Sequence, residues 1–164
     1  MSEWIDLEDV PGLLRPGQRV YVGGSANEPA TLVGAIVAHP DAARDVTFIQ
    51  QPLAINRHDF SSLHPTSQQE TFFATPTLKD GMAAGRVRFI PMQMRAIFSY
   101  LASTRIDVAL LGAARDRDGR LRFGHNVDYV DAVVASASLV VVEVSDQFTA
   151  AAGAPRISET KTDF

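Results

Sequence analysis

Short continuous apolar runs alternate along this chain with stretches whose apolar residues recur every three or four positions. The first run, Val20-Tyr21-Val22 behind Arg19, follows Pro16-Gly17 and stops at Gly23-Gly24, which predicts a strand closed by a glycine turn. From Glu28 onward, Leu32, Val33, Ile36 and Val37 fall at helical spacing until His39-Pro40 ends the segment. A second strand is predicted at 46–50, ending before Pro52. Residues 52–77 show no sustained period and are rich in Ser, Thr, Gln, Pro and His, so they read as a long functional or interfacial loop, with Phe72-Phe73 as a short strand inside it. A weak helix at 78–84 leads through Gly85 to a strand at 87–90, stopped by Pro91.

The clearest helical pattern is 92–103, where Met94, Ile97, Phe98 and Leu101 form one apolar stripe. The unbroken run at 106–111 suits a strand covered on both faces, as in parallel sheets. Asp118-Gly119 supplies a hairpin turn between it and an arm at 120–123. A helix at 128–137 and a strand at 139–144 close the series. The alternation predicts an α/β fold: an open, mainly parallel sheet flanked by helices with a hairpin insertion. The small and polar segment from Thr149 reads as a linker or an arm laid on a partner.

With 164 residues and 46% hydrophobic content, the chain can bury a core without metals or disulfides. Its 15 basic and 19 acidic residues are interspersed, leaving a net charge of −4 and no basic stripe, which argues against nucleic acid. The absence of cysteine removes thiol catalysis and thiolate-based zinc sites, and the four histidines show no ligand spacing, so no metal is expected. The acidic amino terminus is unlike a secretion signal, and the longest apolar run is far below the roughly 18 residues that span a bilayer. A soluble cytoplasmic protein with no membrane partner is the expectation.

Ligands of open α/β sheets bind at the carboxyl ends of the strands. Gly23, Gly24, Ser25, Ala26, Asn27 and Glu28 hold that place after the first strand, where glycine lets backbone amides approach a ligand and the next helix offers its amino terminus to an anion. The same segment also reads as a tight turn with Asn27 as helix N-cap and Pro29 in the first helical turn. The loop is neither Gly-x-Gly-x-x-Gly nor a P-loop, and no Gly-x-Ser-x-Gly elbow surrounds Ser25. His125 follows Phe123-Gly124 at the end of the hairpin arm and could face the same edge, with Asn126 beside it. Glu143, in an apolar strand, reads as an edge-facing or capped side chain.

Taken in order, Val20 through Pro29 with Leu32, then Phe72-Phe73, Lys79, Gly85, Phe89 and Pro91, then Asp107-Val108-Ala109, Asp116, Gly119 and Phe123-Gly124, resemble the amino-terminal domain of the acetyl-CoA hydrolase/transferase family. Four positions depart from that pattern: Ser145 for Asn, Phe148-Thr149 for Met-Pro, and Lys79 for Arg. The resemblance implies a CoA-transferase-like fold over 1–148, with 149–164 as linker or partner-binding tail. It implies a CoA thioester and a small carboxylic acid as substrates, with no tightly bound cofactor.

In that family a Glu of the carboxy-terminal half attacks the thioester. The resemblance therefore places no catalytic residue in this chain and implies a hetero-oligomer with a carboxy-terminal-type subunit. Gly23, Gly24, Ser25, Ala26, Asn27 and Glu28 become substrate-positioning residues, with His125, Asn126 and Lys79 as further cleft candidates. Two other functions stand beside this one: a binding domain for an acyl-CoA or organic acid, and an isomerase or lactonase-like enzyme using Glu28 or Glu143 as base. A domain that pairs with another should carry an exposed apolar patch, expected in the 52–77 loop and the tail.

Overall fold

A computed structural model describes residues 4–124 and 126–157. In chain order these form β1 (Arg19–Val22), α1 (Ala30–Ala38), β2 (Thr47–Gln50), β3 (Gln68–Thr71), α2 (Lys79–Ala83), β4 (Val87–Phe89), α3 (Met94–Ser103), β5 (Ile106–Arg115), β6 (Leu121–Phe123), α4 (Val130–Ser136) and β7 (Ala137–Ser145). Short 3-10 turns fill several connections, among them Ser25–Asn27 directly after β1.

The strands make one sheet in the order β4-β3-β2-β1-β5, with β7 on the outer side of β5. Every pairing is parallel except that of β5 with β6, which runs antiparallel beyond the end of β1. This is the predicted mainly parallel sheet with one hairpin. Strand alternation sorts the side chains into two cores. Val20, Val22, Phe48, Val108 and Leu110 pack with Leu32, Val33 and Ile36 of α1, whereas Tyr21, Ile49, Ala109 and Leu111 pack with Ile97 and Leu101 of α3 and Val133 of α4. Period-two burial on both faces is why β1, β2 and β5 read as continuous apolar runs.

Four expectations are corrected. The strand placed at Phe72-Phe73 lies just before them, because Gln69, Glu70 and Thr71 are buried despite their polarity. Their partners make that possible: the Gln69 amide oxygen accepts from the Phe60 amide, and Glu70 is held by Arg19, Arg88 and Tyr100. The apolar stripe of α3 is split, since Ile97 and Leu101 are buried but Met94 is 58% and Phe98 43% exposed. Only the line that crosses the core is covered.

Asn27 is not the N-cap of α1; it sits in the preceding 3-10 turn and Pro29 occupies the N-cap position. Of the two places expected to be apolar and exposed, the loop after β2 shows Leu53 and Ile55 at the surface, whereas Ala150, Ala154 and Ile157 in the tail are buried. The tail runs along this domain's own hairpin, with Phe123 donating to the Pro155 carbonyl and Ile157 to that of Leu121.

Candidate functional site

The chain leaves β1 through a loop that is pressed against its own backbone. Gly23 donates to the Leu110 carbonyl at 2.9 Å, carrying the β1–β5 ladder one residue past the strand. A Cβ on Gly24 would collide with the Gln51 carbonyl oxygen, and one on Gly23 with that of Asn27. Both glycines are therefore required by internal packing, independently of any ligand. Ser25 then takes a left-handed backbone with φ of 56°, and Asn27 closes the turn by donating to the Gly24 carbonyl at 3.0 Å. Among the described residues, the amides of Gly24 and Ala26 have no hydrogen-bond acceptor.

Asn27 joins this loop to the hairpin. Its side chain is buried and lies against Gly112 of β5 and Gly124 at the end of β6, so closely that a Cβ on Gly124 would strike its amide oxygen. The Phe-Gly pair noted in the sequence thus ends in glycine to accept Asn27. Among the described residues, that oxygen has no hydrogen-bond partner. Two further buried amide oxygens, of Gln50 and Gln51 at the end of β2, are likewise without partners among the described residues. The Gln50 amide nitrogen does donate, at 2.8 Å to Glu28 and at 3.3 Å to the Gly23 carbonyl.

The amino terminus of α1 is closed by the protein itself, contrary to the expectation that it faces a ligand. Glu143 reaches across from β7 to accept from the amides of Thr31 and Leu32 at 2.8 and 3.1 Å, and from the Thr31 hydroxyl at 3.0 Å. A carboxylate is the side chain that complements a helix amino terminus, so the capped reading of Glu143 is the one realised. A cavity of about 260 Å³ opens beside it, lined by Ala26, Asn27, Glu28, Gly112, Glu143 and Phe148 among others. Ala26 and Ala30 are its exposed rim.

The other candidates fall around this centre unevenly. Asn126 follows the hairpin and is half-buried, with its side-chain oxygen accepting from the Asp128 amide at 3.1 Å. His125 lies outside the described residues. Lys79 is exposed at the start of α2, the helix packed on β4, and β4 is separated from β1 by β3 and β2. The structure does not bring it to the loop. Two groups that the sequence reading did not single out adjoin the strand tips. Asn56, buried in the loop after β2, holds the backbone of Ser25. Asp128, at φ of 25°, has its carboxyl raised above the usual carboxylate range by burial, and its charge adds to the burial that pushes up the phenols of Tyr21 and Tyr129.

The hairpin motif has a structural explanation. Asp116 accepts from the amides of Asp118 and Arg120 and pairs with buried Arg122, which also donates to the Ala154 carbonyl. Arg122 and these amides hold the Asp116 carboxyl below its usual range. Among the described residues no cluster of His, Cys, Asp and Glu could hold a metal ion, and no helix is long and apolar enough to cross a membrane.

Residues 2–161 match the family model for the acetyl-CoA hydrolase/transferase N-terminal domain. No curated protein matches the sequence. Among solved structures, RipA from Yersinia pestis superposes with a TM-score of 0.79 at 19% identity, over 97% of this chain and 40% of its own. The 4-hydroxybutyrate CoA-transferase from Porphyromonas gingivalis gives 0.65 at 19%, over 96% of this chain and 37% of its own. Glutaconate coenzyme A-transferase from Acidaminococcus fermentans gives 0.67 at 12%, over 99% and 74%. At such identities these likenesses show the CoA-transferase fold, and this chain spans about two fifths of the length of RipA. With the family model covering nearly every residue, the chain belongs to the acetyl-CoA hydrolase/transferase family, as its amino-terminal domain.

Proposed function

We propose that this domain forms the non-nucleophilic wall of a site for a CoA thioester and a small carboxylic acid, the attacking Glu being supplied by a carboxy-terminal-type partner. The observation that carries the reading is the state of the two carboxylates lining the cavity. Glu28 accepts from Gln50, and Glu143 is tied to the amides of α1. A carboxylate held by the protein's own donors is oriented toward them rather than toward a substrate. This also disfavours an isomerase or lactonase using either group.

The chemistry needs what such a wall can supply. A partner carboxylate attacks the thioester carbonyl and expels CoA as thiolate, leaving a mixed anhydride. The thiolate then attacks the glutamyl carbonyl, releasing the substrate carboxylate and giving an enzyme CoA thioester. A second carboxylic acid or water resolves that thioester. Each addition places negative charge on a carbonyl oxygen, which fixed amide donors stabilise. The amides of Gly24 and Ala26 have the freedom for this role, with Ser25, Asn27 and Glu28 shaping the loop that carries them. Gly23 anchors the loop to β5.

Under this reading the chain is inactive alone and active in a heteromer. Co-expression with a carboxy-terminal-type chain of the same family, followed by native mass spectrometry, should give a stable complex. A monomer that ignores every such chain would count against the proposal.

A further inference from the structure

Asn56 lies in the loop after β2 and is 3% exposed. Its side-chain oxygen accepts from the Ser25 amide at 2.8 Å and from the Leu53 amide at 2.9 Å, and its amide nitrogen donates to the Ser25 carbonyl at 3.0 Å. One buried side chain therefore grips the N–H and the C=O of the same residue. That residue is the one in the glycine loop whose backbone is unfavourable: Ser25, with φ of 56°, occupies the left-handed region that side chains bearing a Cβ normally avoid. Such a conformation persists only when its surroundings over-determine it.

The turn at Ser25 decides where its neighbours point. It leaves Ala26 exposed at the cavity rim and directs Asn27 into the seam between Gly112 and Gly124. The loop is fixed on one flank by Gly24 on the Gln51 carbonyl and on the other by Asn27 on Gly124. Between those anchors, among the described residues, the backbone of Ser25 is hydrogen-bonded to Asn56 alone.

We propose that Asn56 is a positioning residue for the glycine loop: by holding Ser25 in the left-handed backbone, it sets the direction of the Gly24 and Ala26 amides toward a bound thioester. The positioning role rests on the reading of this loop as the thioester wall. Glycine adopts a positive φ without help, which makes the role separable from ordinary structural support. The bond from Asn56 to Leu53 is lost equally whatever stands at position 25, so it cancels in a comparison of two backgrounds.

The experiment is a cycle of Asn56→Ala and Ser25→Gly, singly and together, in the full chain. Hydrogen exchange of the 23–27 amides is followed by NMR, and acetyl-CoA binding to the complex with a carboxy-terminal-type chain by calorimetry. N56A should speed exchange at Ser25 and weaken acetyl-CoA binding about tenfold, the scale of one or two net hydrogen bonds. In the S25G background the same change should weaken binding by less than about threefold, since the clamp is no longer needed. Equal losses in both backgrounds, or unaltered exchange at Ser25, would overturn the role of Asn56. If the unmutated complex binds no acetyl-CoA while exchange still shows the coupling, the clamp stands and the thioester reading of the loop fails.

Discussion

Two buried polar regions of the same sheet are built differently. Around Glu70, both carboxylate oxygens are engaged, by Arg19 at 2.7 Å, Arg88 at 2.8 Å and the Tyr100 hydroxyl at 3.1 Å; among the described residues, Nε of Arg19 and Nε2 of the neighbouring Gln69 are left without partners. At the tips of β1 and β2, the side-chain oxygens of Asn27, Gln50 and Gln51 are all buried without hydrogen bonds to the described residues, next to a Ser in a left-handed backbone. Burying a polar atom without a partner costs about 1–3 kcal/mol, and a strained backbone costs a similar amount. The first region is a structural network that lets a polar strand lie inside a sheet. The second concentrates unmet hydrogen-bonding capacity and strain beside a cavity, which is the pattern of a site kept for something else.

The contrast can be broken experimentally. The largest effect is expected at Gly24→Ala, where the new methyl meets the Gln51 carbonyl and no flexible side chain can move aside. A loss of about 3 kcal/mol is expected by urea denaturation. Gly124→Ala, directed at the Asn27 side chain rather than backbone, should cost less than Gly24→Ala. Equal costs would mean that Asn27 is as rigidly held as the Gln51 backbone.

Next comes Glu70→Gln, which removes the charge that Arg19 and Arg88 share. Because Arg88 is 63% exposed and Arg19 27%, solvent takes up part of the loss, and about 2 kcal/mol is expected. Acyl-CoA binding should be unaffected, since Glu70 belongs to the structural region. A binding defect without a stability defect would reverse the assignment of the two regions. Glu143→Gln is smaller again: loss of the charged cap on α1 should cost about 1 kcal/mol.

The smallest effects are linked to pH. Arg122 and backbone amides hold the folded Asp116 below the unfolded value of about 4. Its contribution is therefore present above that value and is lost as pH falls through the folded one, so Asp116→Asn should flatten the acid limb of the stability curve. Asp128 has the opposite sign. Burial raises its folded value, so stability falls as pH rises through it, and Asp128→Asn should modestly stabilise the protein at neutral pH. A stabilising change at the strand tips would fit a region that tolerates instability for function.

The difference between the regions also explains what the sequence revealed. Strands β1, β5 and β7 were legible because Val, Ile, Leu and Ala fill both of their faces. Strand β3 was not, because its buried Glu70 is satisfied by residues as distant as Arg19 and Tyr100, and no local period records that. The glycine loop was found from its place after β1, but its glycines proved to serve the backbone of Gln51 and Asn27. The ordered motifs carried the family, and the structure shows why two of them hold: Asp116 staples the hairpin turn, and Gly124 receives Asn27. Asn56 was missed because its partner lies 31 residues away in a segment without periodicity.

In the proposed function this domain presents a wall and a partner brings the nucleophile. Acetyl-CoA and butyrate can be incubated with this chain alone, with a carboxy-terminal-type chain, and with that chain carrying Gln in place of its attacking Glu, while CoA species are followed by mass spectrometry. If the partner brings the nucleophile, acetyl-CoA is consumed only in the second mixture. Turnover by this chain alone, abolished by Glu28→Gln or Glu143→Gln, would contradict it.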